Sequence, residues 1–269
     1  MNIPLLIAQS KYHFWPRDRS YMRQVLKRYS TYYRNLDEPA KRIFEYRVEI
    51  FLNAIEFKTL GAIRLKSEIE FLIASGFVQI TFGRNLYILS HFKRIIITPK
   101  EYGYTGFKEK LLGHVDYSRR LITLSWANTK HGFLIEDDAH NVVLHEMAHA
   151  LEFEFRKRIK LVKHLDRRSL PLAILISSIV EKSYYFLDNE VYQKWLKLGV
   201  TQLKDIRAGK QAFLKSYAAK NIHEYFACSI EAFFEQSEQM KVEMPELFDT
   251  LVLLLGQDPT VKKDPRIKT

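Results

Sequence analysis

Two histidines and a glutamate in the middle of the chain have types and spacing that suit the binding of a metal ion. Residues 145–149 read His-Glu-Met-Ala-His, an H-E-x-x-H pattern. Side chains four residues apart lie on nearly the same face of an α-helix, so His145 and His149 can bind one ion. Glu146 lies about 100° further round the helix, where it reaches a metal-bound water rather than the metal. The pattern predicts a catalytic zinc site with Glu146 as general base; the alternative is two ordinary histidines on an amphipathic helix.

A third protein ligand is needed, because a catalytic zinc has three protein ligands and one open position. The metzincin pattern H-E-x-x-H-x-x-G-x-x-H does not supply it, since Glu152 and Phe155 stand where its glycine and third histidine would be. Glu224 and Glu231 are seven residues apart and share one face of a predicted helix, so either could approach the histidine pair. The other option is a distant histidine, and the candidates are His114, His131, His164 and His223.

The elements that must position these residues follow from the hydrophobic periodicity. A helical period predicts the H-E-x-x-H helix over 139–157, with Asp137 or Asp138 as its cap. β-Branched and alternating residues predict three strands, at 92–98, 113–117 and 120–126. Further helices are predicted at 37–57, 64–75, 170–187, 189–198 (closed by Gly199), 221–237 and 245–255. Helices, then a small sheet, then helices predict an α+β fold.

Composition bounds the class of protein. Of the 269 residues, 47% are apolar and 27% charged, which excludes a disordered or fibrous chain. Cys228 is the single cysteine, so the chain can form no intramolecular disulfide and no cysteine-based zinc site. The net charge of +11 favours acidic partners or marks a solvated basic face. Because no zinc finger, RNA-recognition signature or clear helix-turn-helix is visible, a nucleic-acid partner is not expected. The apolar run 3–8 is too short for a signal peptide or a membrane span, so we expect a cytoplasmic protein with no membrane partner.

The region after residue 215 resembles a known family. Residues 216–227, followed by Glu-Ala-Phe-Phe at 231–234, are similar to the second zinc-binding helix of the Mlc titration factor A family, the bacterial glucose-regulated zinc metallopeptidases. Four further segments resemble parts of the family in the same order, so the likeness covers roughly residues 90–260: 121–126, 141–152, 245–248 and 257–259. The resemblance implies a zincin-like (gluzincin) metallopeptidase fold, related in its catalytic domain to anthrax lethal factor. Its parts would be an N-terminal helical region over 1–90 and a catalytic domain over 91–269.

The resemblance also implies roles for individual residues. One Zn²⁺ per chain would be held by His145, His149 and Glu224, with Glu146 as the general base and Tyr217 assisting the transition state. Two residues depart from the family pattern: His223 replaces the usual small residue, and Glu152 stands where aspartate is common. Glu224 has a simpler alternative as the N3 partner of a helix cap at Asn221, and Tyr217 as an ordinary core or surface tyrosine.

The expected partner is a peptide or protein substrate. The predicted strand 120–126, if it forms the sheet edge over the cleft, would hold an extended peptide by strand addition. A second function follows from the resemblance, because members of the family are implicated in sequestering a transcriptional repressor. The chain would then be a regulatory binding protein, with peptidase activity secondary or absent.

Overall fold

The computed structural model describes residues 3–14, 18–103, 105, 108–166 and 189–267. The strands are β1 (Glu56–Thr59), β2 (Arg94–Thr98), β3 (Gly113–Asp116) and β4 (Leu121–Ser125). The helices before the last strand are α1 (Ile3–Phe14), α2 (Arg19–Tyr29), α3 (Thr31–Asn35), α4 (Glu38–Ala54) and α5 (Ser67–Thr81). Those after it are α6 (Trp126–Leu134), α7 (Val142–Asp166), α8 (Asn189–Arg207), α9 (Ile222–Glu235), α10 (Ser237–Glu243) and α11 (Pro245–Leu255). The predicted helix over 170–187 lies outside the described residues.

The sheet is small and mixed, with the strand order β1-β2-β4-β3. β1, β2 and β4 run parallel, and β3 pairs antiparallel to β4, with Gly113 opposite Leu124 and Asp116 opposite Leu121. β4 therefore has a partner on each side, and the expectation that 120–126 forms the sheet edge is wrong. The two edge strands are β1 and β3, because the four-residue turn after β3 folds the chain back so that β4 lies between β2 and β3.

Helix α7 carries the H-E-x-x-H residues and packs against α5, α9, β3 and β4. Its cap differs from the prediction. The side-chain oxygen of Asn141 accepts hydrogen bonds from the amides of Val143 and Leu144, so Asn141 is the N-cap. The Asp138 side chain instead accepts a hydrogen bond from the amide of His140, which precedes the helix. Ala139, expected inside the helix, has a φ of 54° and cannot continue it. The helix therefore begins three residues later than predicted.

Helix α9 supplies the second half of the site and has the start that the sequence predicts. The Asn221 side chain accepts hydrogen bonds from the amides of His223 and Glu224 and so caps the helix. Helix α8 packs against it and runs through Gly199 to Arg207, so the prediction that Gly199 ends a helix is wrong. A Cβ at Gly199 would lie 2.8 Å from Ile222 Cδ1 and 3.1 Å from the Tyr225 ring. The glycine thus permits close helix packing.

The observed architecture is α+β, as predicted, with one continuous apolar core from α2 to α11. β1 lies in residues 1–90 yet pairs with β2, so that region is not only helical. The domain boundary near residue 90 stays a prediction. Within the described residues, no helix combines the length and the apolar character needed to cross a bilayer.

Candidate metal centre

Three side chains from α7 and α9 converge on one point. His145 Nε2 lies 3.1 Å from Glu224 Oε2, His149 Nε2 lies 3.2 Å from the same oxygen, and the two nitrogens are 3.2 Å apart. Atoms bound to a tetrahedral zinc at about 2.0–2.1 Å lie roughly 3.3–3.4 Å from one another. The spacing and the two-imidazole, one-carboxylate chemistry of this set therefore fit a zinc ion.

The far side of the His145 ring is held by Glu231. His145 Nδ1 donates to Glu231 Oε1 at 2.6 Å, so that when the imidazole is neutral its Nε2 lone pair faces the proposed ligand set. Burial acts to lower the pKa of His145, but the Glu231 carboxylate together with hydrogen bonds to Cys228, Glu224 and Glu231 raises that pKa well above its ordinary value. The two glutamates that the sequence offered as alternatives are thus both at the site, on opposite sides of one imidazole.

The Glu224 carboxylate does more than the simpler alternative, a role in helix capping alone, would require. That carboxylate faces the two histidines, and its Oε1 accepts a hydrogen bond from the Tyr217 hydroxyl at 3.3 Å. Burial alone would raise the pKa of Glu224, but hydrogen bonds from His145 and His149 lower it far below its ordinary value. Glu224 is therefore held as a carboxylate, the form that binds metal.

Tyr217 lies at the mouth of the site on a short 3-10 turn, Ser216–Ala219. Its ring centroid is 6.1 Å from that of His145, and 46% of the residue is exposed. Lys220 Nζ donates to its hydroxyl at 3.2 Å. The tyrosine thus lies next to the cluster of His145, His149 and Glu224 and lines the same cleft.

Glu146 lines the same cleft, which has a volume of about 430 Å³. Only 7% of the residue is exposed, and burial raises the pKa of its carboxyl above the ordinary value, although the two histidines oppose that shift. A raised pKa brings a carboxylate closer to the neutral range in which a general base works best. Gly113 on β3 makes room for it, since a Cβ there would lie 2.5 Å from Glu146 Cγ.

The two residues that depart from the family pattern, His223 and Glu152, are hydrogen-bonded to each other. His223 Nδ1 donates to Glu152 Oε2 at 2.7 Å, and Arg156 Nη1 donates to His223 Nε2 at 3.1 Å. The Tyr192 hydroxyl donates to the other Glu152 oxygen at 2.9 Å. Both ring nitrogens of His223 are engaged, so this histidine does not offer the third ligand.

His114 and His131 belong to no group of described side chains that could hold a metal. Among the described side chains, the groups that could hold a metal are His145 with His149 and Glu224, and His145 with Cys228 and Glu231. His114 lines the cleft from β3, and His131 lies in α6. The side chain of His164 lies outside the described ones. Gly113 and Lys215, which touch Glu146 and Glu231, were missed because neither has a sequence pattern that points to the site.

A comparison with protein families identifies the chain. The family described as glucose-regulated metallo-peptidase M90 matches residues 15–158 and 185–254, most of the 269 residues. The match also covers residues 15–90, which lie before the segments that carry the resemblance in the sequence analysis. No curated protein matches the chain. This match confirms the predicted family and implies a metallopeptidase. The chain belongs to the glucose-regulated metallopeptidases, which are the Mlc titration factor A family.

Proposed function

We propose that the protein is a zinc peptidase of the gluzincin type on a zincin-like fold, with one Zn²⁺ held by His145, His149 and Glu224. The observation that carries this proposal is the triangle of ligand atoms, 3.1–3.2 Å on each side. A bound zinc would supply Lewis acidity, lowering the pKa of a coordinated water from 15.7 to about 7 and polarising a peptide carbonyl. The remaining steps belong to the side chains.

Glu146 moves the proton. Its carboxylate accepts a proton from the attacking water as the C–O bond forms, and the carboxylic acid then donates that proton to the leaving amine as the C–N bond breaks. Two observations support this role: the side chain lines the cleft beside the ligands, and burial raises its pKa. The carboxylate is regenerated when the amine leaves.

Tyr217 stabilises the developing oxyanion. Its hydroxyl donates to Glu224 Oε1 in this structure, so it is already next to the place where charge develops. Because the side chain is 46% exposed, it has room to turn and to donate its hydrogen bond to the substrate oxygen instead.

Strand β3 would bind the substrate backbone. One side of β3 pairs with β4, and its residues Gly113, His114 and Val115 line the cleft. An extended peptide can add to such an edge strand through backbone hydrogen bonds, which would present a peptide bond to the ligand cluster.

The test combines metal content and hydrolysis in tag-free protein. We expect about one zinc per chain in the wild type, measured by elemental mass spectrometry, and cleavage of a mixed peptide library. Glu146→Gln should keep the zinc and lose at least 100-fold in rate, as is typical when a general base is removed. Glu224→Ala should lose most of the zinc.

Each result against the proposal has a distinct meaning. Retained turnover in Glu146→Gln would remove Glu146 from the base role. Unchanged zinc content in Glu224→Ala would return that residue to helix capping. A wild type that takes up no zinc would overturn the peptidase mechanism as a whole.

A further inference from the structure

Lys215 lies behind the metal centre and takes no part in the mechanism above. Its ammonium group donates to Glu231 Oε1 at 2.7 Å, the same oxygen that accepts from His145 Nδ1 at 2.6 Å. The other oxygen of Glu231 accepts from the amide of Asn141, the cap of α7, at 2.9 Å. The result is a chain of contacts from Lys215 through Glu231 to a proposed metal ligand.

The second partner of Lys215 is a backbone carbonyl in an unusual conformation. Lys215 Nζ donates to the Ala139 carbonyl at 3.1 Å. Ala139 has a φ of 54°, in the left-handed region that is unfavourable for a residue with a Cβ. Such a conformation persists where its surroundings hold it in place. Here the carbonyl lies just before the N-terminus of α7 and accepts a bond from a cation.

We propose that Lys215 is a positioning residue of the metal centre, which holds the Glu231 carboxylate so that it orients the His145 imidazole. This inference rests on the proposed zinc site. Glu231 is 1% exposed, and a carboxylate at that depth is costly unless it is paired. Lys215 supplies the balancing charge and fixes one of its two oxygens.

The position of Lys215 in the sequence extends its effect. It lies two residues before Tyr217 and immediately before the 3-10 turn that carries that tyrosine. The Lys215 ammonium group therefore connects the turn that carries Tyr217, through Glu231, to His145 of α7. Loss of Lys215 would loosen both the His145 orientation and the start of this turn.

The experiment measures zinc affinity by competition with a chelator and the visible spectrum of the cobalt(II)-substituted protein. Lys215→Met should weaken zinc binding about 10-fold, the scale found when a partner of a metal-ligating histidine is removed. The cobalt spectrum should change as well, because it reports ligand geometry. Lys215→Arg, which keeps a cation, should retain most of the zinc affinity and a cobalt spectrum close to that of the wild type. Lys194→Met, at an exposed lysine, is the matched control.

A double-mutant cycle identifies Glu231 as the intermediary. In a Glu231→Gln background, Lys215→Met should weaken zinc binding less than threefold, because the negative charge that Lys215 balances is gone. Lys215→Gln serves as the second variant if Lys215→Met does not fold, and is expected to weaken zinc binding similarly.

The outcomes separate the inference from the proposed function. If the wild type binds no zinc, the proposed function fails. If the wild type binds zinc while Lys215→Met and Lys215→Gln keep its affinity and cobalt spectrum, only the role of Lys215 is overturned. Equal losses with and without Glu231 would also contradict it.

Discussion

Among single residues, Gly113 shows how a missing side chain makes room for Glu146. It is an edge-strand residue whose position would place a Cβ 2.5 Å from Glu146 Cγ and 2.7 Å from Glu146 Oε1. Carbon atoms do not approach this closely, so an alanine must displace the carboxylate. We expect Gly113→Ala to lower the rate of peptide hydrolysis at least 10-fold, because a shift of about 1 Å in a catalytic group has effects of this size.

The measurement pairs this rate with zinc content and the free energy of unfolding. Zinc should stay bound, since the ligands are untouched, and overpacking should cost about 1–3 kcal/mol. Gly103→Ala is the matched control, because no atom of the described residues, apart from its chain neighbours, lies within 4 Å of a Cβ at that glycine. Turnover equal to that of the control would show that Glu146 tolerates the displacement.

The residues of the site differ in how far the sequence could predict them. The spacing of His145 and His149 is a property of one helix, so it can be read locally, and the structure brings the pair together. Which nitrogen of His145 each of Glu224 and Glu231 contacts depends on how α9 packs on α7. Sequence spacing alone therefore could not decide which of the two glutamates is the third ligand candidate. The site roles themselves stay predictions.

At the level of elements, Asn141 connects the start of α7 to the rest of the molecule. Its side-chain oxygen caps the helix, and its amide nitrogen donates to the Gly132 carbonyl of α6 at 3.2 Å. The residue is 3% exposed, so water cannot replace these partners. We expect Asn141→Ala to lower the free energy of unfolding by about 2 kcal/mol, since it removes a cap and leaves a buried carbonyl unpaired.

Denaturant unfolding checks this value. Asn141→Ser keeps a capping oxygen and should recover roughly half of the loss. A full loss in Asn141→Ser would assign the whole effect to the Gly132 contact instead. No loss in Asn141→Ala would show that the cap does not limit stability.

The elements that the sequence predicted well have local causes. The start of α9 at the Asn221 cap and the span of α11 (Pro245–Leu255) follow from a capping side chain and a proline at the first turn. β1 and α6 were missed, because a four-residue strand gains its stability only by pairing with β2 and a short helix by packing on α7. Gly199 misled the prediction since its role depends on the helix beside it.

At the scale of the whole molecule, one buried acid should set part of the pH dependence of stability. Both carboxylate oxygens of Glu235, at the end of α9, are buried and make no hydrogen bond of normal geometry to the described residues, with Asn141 as a nearby polar side chain. Burial raises the pKa of Glu235 from 4.5 to about 8; the contact with Asn141 opposes the shift, and the carboxylates of Glu231, Asp138 and Glu136 add to it. The folded state therefore holds a proton that the unfolded chain releases near pH 4.5.

The sign of the effect follows from this difference. A raised pKa stabilises the fold below pH 4.5, and that stabilisation is lost as the pH rises to about 8. Glu235→Gln removes the titrating group, so the variant should gain stability over the wild type as the pH rises, by up to roughly 1.4 kcal/mol per pH unit. Denaturant unfolding at pH 5 and pH 8, with chelator present, measures the gain, and the exposed Glu238→Gln is the control. If the gain is equal at the two pH values, Glu235 does not titrate in this range, and the stability of the fold does not depend on its protonation.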